Sequence, residues 1–249
     1  MKKSVGFLTA AIVLTLTLAV PTATRAQESI VIEVTAPVNL NAPNRPLDEV
    51  ERDQWSKPIE TLQWVGVGPG DVVVDFHAGG GYATWILSRW VGPEGVVFAE
   101  MAGRRAGALQ ERVESGDLAE IGNVVFVGGI DELPTDSLDV FYVVRNYHDY
   151  GAEEVSAFLD HVARSLKPGG LFVVIDVRAH EGRDDDGHRI AEEIVIEETT
   201  AAGFELVDST DLLANPDDSY EGAQWDNRDQ LDHFALKFRA PESESSEDY

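Results

Sequence analysis

The stretch Val72–Glu100, VVVDFHAGGGYATWILSRWVGPEGVVFAE, constrains this chain most. A run of β-branched residues ends in an acid, Asp75. Gly79, Gly80 and Gly81 follow and open directly into a helix-like segment, and a second apolar run ends in another acid, Glu100. Glycines there let backbone approach a ligand closely, and the start of a helix supplies N–H donors. Open α/β sheets hold adenosine-containing cofactors on such a strand–glycine turn–helix–strand unit. Glu100 lies 19 residues past Gly81, the spacing at which a carboxylate accepts ribose hydroxyls. A glycine turn of this kind can also be purely structural. Thr84 occupies the last glycine position of the dinucleotide form G-x-G-x-x-G, which counts against a nicotinamide dehydrogenase.

Hydropathy periodicity extends the pattern on both sides. A short helix is expected over Asp53–Val65. Strands are expected at Asp71–Phe76, Gly95–Glu100, Asn123–Val127, Leu138–Val144 and Leu171–Val177, alternating with helices over Gly81–Trp90, Gly103–Glu114 and a segment carrying Val155, Phe158, Leu159, Val162 and Leu166. Lys167-Pro168-Gly169-Gly170 terminates that last helix. A polar loop (Arg178–His188) leads to a helix from Arg189 to Ala202 and a strand at Phe204–Thr210. His233–Arg239 alternates cleanly and reads as a strand near the sheet edge. The expected fold is a doubly wound, mostly parallel, seven-stranded α/β sheet with an antiparallel last strand.

The ends of the chain read differently. Lys2 and Lys3, the apolar run Val5–Val20 and the small residues around Ala26 form a secretory signal, predicting a periplasmic or secreted protein. The run is shorter than the roughly 20 residues of a spanning helix, so no stable membrane insertion is expected after cleavage. The predicted organisation is a signal at 1–26, an extended leader at 27–50, one domain at 51–240 and a disordered acidic tail at 241–249. The chain has no cysteine, which excludes disulfides, thiol catalysis and cysteine zinc sites. Its 45 acidic residues against 19 basic ones give a formal net charge of −26, which opposes nucleic acid as a partner. Two readings of that charge stay open: adaptation to high salt, which the scarcity of lysine favours, or simple solubility.

The segment around Asp75 resembles the first motif of class I S-adenosylmethionine-dependent methyltransferases, acid-x-G-x-G-x-G. Asp75, Gly79 and Gly81 match it, while His77 stands where the first glycine is expected. Leu166-Lys167-Pro168-Gly169-Gly170 and Ala202-Gly203-Phe204 look like later turns of that superfamily. Arg145-Asn146-Tyr147-His148-Asp149, the Asp53–Pro58 segment and His188-Arg189 look like a bacterial family of predicted, often exported, methyltransferases of uncharacterised substrate. The Arg145-Asn146 pair also resembles the quinone-biosynthesis methyltransferases.

The resemblance implies methyl transfer from S-adenosylmethionine to a small molecule. Asp75, Gly79, Gly81 and Glu100 would bind the cofactor and Asn146 would border it. Asp131 would take the adenine contact, because Gly129 stands where the superfamily usually has an acid. His148, whose unperturbed pKa lies near neutrality, is the candidate base. Against this, His148 and Asp149 are also suited to capping the following helix. Asp176, His180, Glu181, Asp184, Asp185, Asp186 and His188 concentrate after the fifth strand without matching a metal-ligand motif, and no metal is expected. Trp55, Trp85 and Trp90 read as packing residues. The rival reading is a non-catalytic ligand-binding or interaction protein that keeps this fold, with His77 and Gly129 as its support. Export would also separate the protein from a cofactor made in the cytoplasm.

Overall fold

A computed structural model of the chain describes residues 38–118, 120–223, 225 and 228–242. The expected export signal, the first part of the leader and the tail beyond 242 lie outside the described residues.

The β-branched runs form the middle of a seven-stranded sheet. Strands β1 (Val72–Phe76), β2 (Val96–Glu100), β3 (Val124–Val127), β4 (Leu138–Val144) and β5 (Leu166–Val177) are parallel. A small hairpin, β6 (Arg183–Asp184) with β7 (Arg189–Ile190), stands apart from them. The chain then adds β8 (Glu205–Thr210) and β9 (His233–Arg239), and β9 runs antiparallel to both β5 and β8. The order is β3-β2-β1-β4-β5-β9-β8.

Apolar strands of this kind need cover on both faces, and the two-residue alternation of side chains decides which face each residue serves. Val74, Phe76, Phe141 and Val143 pack against α5 (Val155–Ser165) and α6 (Glu192–Ala201), among them Phe158 and Val195. Val73, Val97, Val140 and Tyr142 meet the other layer: α2 (Pro58–Val65), α3 (Tyr82–Val91) and α4 (Ala106–Glu114), through Leu62, Trp85 and Leu109. Trp85 is fully enclosed there, and cutting it to alanine is worth about 3–5 kcal/mol. No helix among the described residues is long and apolar enough to cross a membrane.

Several boundaries differ from expectation. The leader is not extended to residue 50, because α1 (Leu47–Ser56) begins inside it. The single helix expected at Asp53–Val65 is two, divided at Lys57, which takes a left-handed φ of 40°. Pro58 is the cause: it has no N–H to continue α1 and disfavours helical geometry in the residue before it, yet suits the first turn of α2. The Lys167–Gly170 turn belongs to β5, with Leu166 paired to Leu138 ahead of an irregularity in the ladder. A Cβ on Gly170 would lie 3.1 Å from the Leu138 carbonyl oxygen, so the close crossing leaves little room for a side chain. The helix expected from Arg189 starts at Glu192, because Arg189 is held in the β6–β7 ladder while its guanidinium grips Asp218 at 2.8 and 3.2 Å. His233–Arg239 sits one strand in from the edge, which β8 occupies.

Gly81 shows how the glycine cluster is built. It starts α3 at φ 86°, and a Cβ there would lie 2.5 Å from Leu118 Cδ1 and 3.2 Å from Leu109 Cδ1. Its lack of a side chain lets α3 approach the α4 layer. Gly81→Ala combines a left-handed penalty with overpacking, so a loss of about 2–4 kcal/mol is expected in urea denaturation. A loss below about 0.5 kcal/mol would refute this packing role.

Candidate functional site

The sheet order reverses at β1 and β4: from these neighbours the chain leads away to opposite sides, leaving a crevice at their carboxyl ends. The residue after each strand, His77 and Arg145, has a left-handed backbone with φ of 53° and 58°. Such a conformation is uncommon outside glycine, and both strands therefore turn sharply outward. Between them opens a cavity walled by Asp75, His77, Ala78, Gly79, Gly80, Tyr82, Arg145, Asn146 and Asp149.

The turn after β1 is fixed from β2. The His77 N–H donates to Glu100 Oε2 at 3.0 Å, and the Ala78 N–H donates to the Glu100 carbonyl at 2.8 Å. The His77 ring packs edge-on against Phe76, with its Nε2 3.3 Å from the Tyr150 hydroxyl. It thus forms a wall of the cavity without filling it. Cβ atoms added to Gly79 or Gly80 would meet nothing closer than 3.9 Å, so both present bare backbone to the open space. Arg112 holds the rear of the loop by donating to the Gly80 carbonyl.

Asp75 lies on the α3 face, where its Oδ2 accepts the Thr84 hydroxyl at 2.6 Å. Burial pushes its carboxyl up to about 6, against that hydrogen bond and the nearby Arg52. Glu100 is pushed up to about 7, again by burial, against the His77 N–H.

Across the crevice, His148 is buried in the short turn Tyr147–Asp149. Its Nδ1 lies 2.8 Å from Asp176 Oδ1, and its backbone N–H donates to Asp176 Oδ2 at 3.0 Å. Burial disfavours the imidazolium, but the Asp176 carboxylate outweighs it and the His148 pKa is raised. Helix α5 starts beyond Glu154 with no side-chain cap, so capping does not explain His148 or Asp149. His148 Nε2 and His188 Nδ1 each lie 3.4 Å from Asp149 Oδ1. Ligating atoms of these three residues all fall within 4.8 Å of one another, a grouping suited to a divalent ion.

No protein-family model matches the chain. An arsenite methyltransferase of Halobacterium salinarum is 32% identical over 116 residues, 46% of this chain and 29% of the relative. A protein-L-isoaspartate O-methyltransferase of Thermotoga maritima is 29% identical over 117 residues, 45% and 33% of the two chains. The matched segment is thus about a third of each curated relative. An S-adenosylmethionine-dependent methyltransferase from Aquifex aeolicus superposes with a TM-score of 0.60 over 83% of this chain and 99% of its own, at 20% identity. This is the class I methyltransferase fold.

Within the methyltransferase fold, the residues singled out from sequence fall into three groups. Asp75, Gly79 and Asn146 line the cavity together. Gly81, Glu100 and His148 lie just behind its wall: Gly81 packs on Leu118, Glu100 is 1% exposed beneath the turn, and His148 rests on Asp176. Asp131 is brought to neither place. It is solvent-facing and 3.5 Å from His161 Nε2, beside α5. The single 3₁₀ turn Ile130–Glu132 carries it outward, and Glu132 instead accepts the Gly128 N–H.

Sequence reading did not single out Arg52 and Tyr82 as cavity residues, and it placed Trp55 in packing although Trp55 lines an adjoining cavity. It noted Asp176 only as part of a charged loop. One signal was available: Asp176 is the lone charge inside an otherwise apolar strand end, FVVIDV.

Asp75 and Glu100 both bind protons more tightly folded than unfolded, from starting values of 3.8 and 4.5. Their contribution to stability is therefore greatest at acid pH and is lost as pH rises through about 4 to 7. Asp75→Asn should remove on the order of 2 kcal/mol of that loss. Denaturant titrations at pH 5 and pH 8 on both proteins check this, and parallel profiles would contradict the assignment.

Proposed function

We propose that the protein transfers a methyl group from S-adenosylmethionine to a small molecule. The supporting observation is the bare Gly79–Gly80 backbone facing a large cavity at the β1–β4 switch point, with Asp75 at its base. The donor set suits this cofactor. Backbone at Gly79 and Gly80 tolerates close approach, Asn146 borders the same space, and Asp75 supplies an anion for a cationic ligand. Glu100 would serve it indirectly, by setting the turn, unless it swings out to meet the ribose.

When bound, the cofactor supplies an electrophilic methyl carbon on a sulfonium. Gly79, Gly80, Asn146 and Asp75 would hold the cofactor while an acceptor lone pair takes that methyl group and a neutral thioether leaves. The proton that an O–H or C–H acceptor must lose would pass by way of Asp149, on the cavity wall, to His148 Nε2 3.4 Å behind it, while Asp176 holds the imidazole in place and stabilises its charged form. A divalent ion at His148, Asp149 and His188 would compete for the same imidazole lone pair. Activity retained in excess EDTA would support the base role, and activity lost there would contradict it.

A second reading, a ligand-binding protein without catalysis, draws on one observation. Neither acid expected to hold the adenosine, Glu100 or Asp131, stands on the cavity wall. Calorimetric titration with S-adenosylmethionine and S-adenosylhomocysteine, at low and at molar salt, tests both. Micromolar binding supports the methyltransferase reading, and no binding by folded protein overturns it. With an acceptor in hand, kcat/KM should rise with pH through a value above 6.5, where His148 loses its proton. Asp176→Asn should move that limb to lower pH and reduce the plateau; an unmoved limb would exclude His148.

A further inference from the structure

Five arginines among the described residues bury a side-chain nitrogen without a hydrogen-bond partner: Arg45, Arg112, Arg145, Arg183 and Arg189. Four of them are nevertheless matched to carboxylates through their other nitrogens. Arg45 meets Asp53, Arg112 meets Glu49 and Asp117, Arg183 meets Glu198, and Arg189 meets Asp218. Arg145 has no such match. In a chain with 45 acidic residues, its guanidinium lies against the Trp55 ring, 5.6 Å from the centroid, and makes no ion pair among the described residues.

Arg52 is nearly as isolated. Its Nε donates to Ser56 at 3.1 Å, and its guanidinium stacks 3.9 Å above the Tyr82 ring. The nearest acids are already engaged: Asp75 accepts Thr84, and Asp176 accepts His148 and the Val177 N–H. Burial first, then Arg52 and Arg228, holds Arg145 down to about 9. Asp75 and Asp176 act on these two cations from a distance, but neither arginine makes an ion-pair contact among the described residues, and burial of both costs free energy that such remote attraction only partly offsets.

Both arginines line a second, smaller cavity whose other walls are largely apolar: Trp55, Leu62, Ile86 and Ile175. It adjoins the larger one, since Arg52, Tyr82, Val144 and Arg145 belong to both walls. His233 also lines it and is held down to about 4, chiefly by burial and then by Arg145, so it adds no charge near neutrality. A planar guanidinium fork matches a carboxylate, and apolar walls match a hydrocarbon body.

We propose that the methyl acceptor is an amphipathic organic carboxylate, held by Arg145 and Arg52 with its apolar body in the smaller cavity. Its role as acceptor rests on the methyl-transfer reading; its binding does not.

Hexanoate and its neutral analogue hexanamide are the probes, titrated by calorimetry into the purified protein and into Arg145→Met and Arg145→Lys. The wild type should bind hexanoate at least about tenfold more tightly than the amide. Arg145→Met should abolish that preference without lowering the melting temperature, because it also removes an unpaired buried charge. Arg145→Lys should restore part of it. Equal binding of the two probes, or unchanged hexanoate affinity in Arg145→Met, overturns the proposal.

The carboxylate of the cofactor is the other source of such an anion. S-adenosylhomocysteine and 5′-methylthioadenosine, which lacks that carboxylate, separate the two. If Arg145→Met weakens only S-adenosylhomocysteine and spares hexanoate, the arginine serves the cofactor and the proposal falls. If S-adenosylhomocysteine fails to bind while charge-dependent hexanoate binding persists, the anion site stands and the methyl-transfer reading falls.

Discussion

The hold of Glu100 on the turn after β1 organises the crevice. One residue, at the end of β2, takes the His77 N–H with its side chain and the Ala78 N–H with its backbone. That pair of bonds lets a residue with a side chain sit at φ 53°, where a glycine would be easier. Because the turn is fixed, Gly79 and Gly80 face the cavity, Gly81 reaches Leu118, and α3 begins where Thr84 can meet Asp75. The carboxylate is sunk under the loop as a result, and its proton affinity rises with it. Geometry and electrostatics of this wall therefore have a common origin.

Charge is distributed in the opposite sense to the whole. The chain is strongly acidic, yet four arginines, Arg52, Arg105, Arg145 and Arg228, stand around the larger cavity against two acids, Asp75 and Asp149. An acidic exterior repels anions at long range, and salt screens that repulsion within about 10 Å at 0.1 M. Arg52 and Arg145, both half-buried, act at contact distance, where salt screens less. Entry of an anion would thus be easier in concentrated salt while its binding changed less.

The sheet was largely legible in the sequence, because its signals are local. β4 and β9 follow from an apolar run and a clean alternation, residue for residue. The division at Lys57 was also written locally, in Pro58, but the regular spacing of Ile59, Leu62 and Trp55 concealed it. The start of α6 was not legible, because it depends on Arg189 finding Asp218 far along the chain. The site divides in the same way. Asp75 lies in β1, and Gly79 and Asn146 in the turns just past β1 and β4, so local strand signals are enough to bring all three to the cavity wall. Asp131 is not brought there, since the course of an irregular turn is decided by contacts such as Glu132 with Gly128. The juxtaposition of Arg52 with Arg145 joins a helix near the start of the domain to the end of β4, and no local pattern encodes it.

The corner at Lys57 has a wider consequence. Arg52 and Trp55 come from α1, Pro58 and Leu62 from α2, and all four line the smaller cavity. Lys57 anchors the corner by donating to the Leu212 carbonyl at 2.7 Å. The roof of that cavity is therefore made of two short rods set at a joint, laid over a sheet whose strands it does not extend. Changes confined to residues 47–65 can reshape what fits beneath while the glycine turn and the strand order stay as they are. The shape of the smaller cavity and the frame of the sheet are thus set by different stretches of the chain.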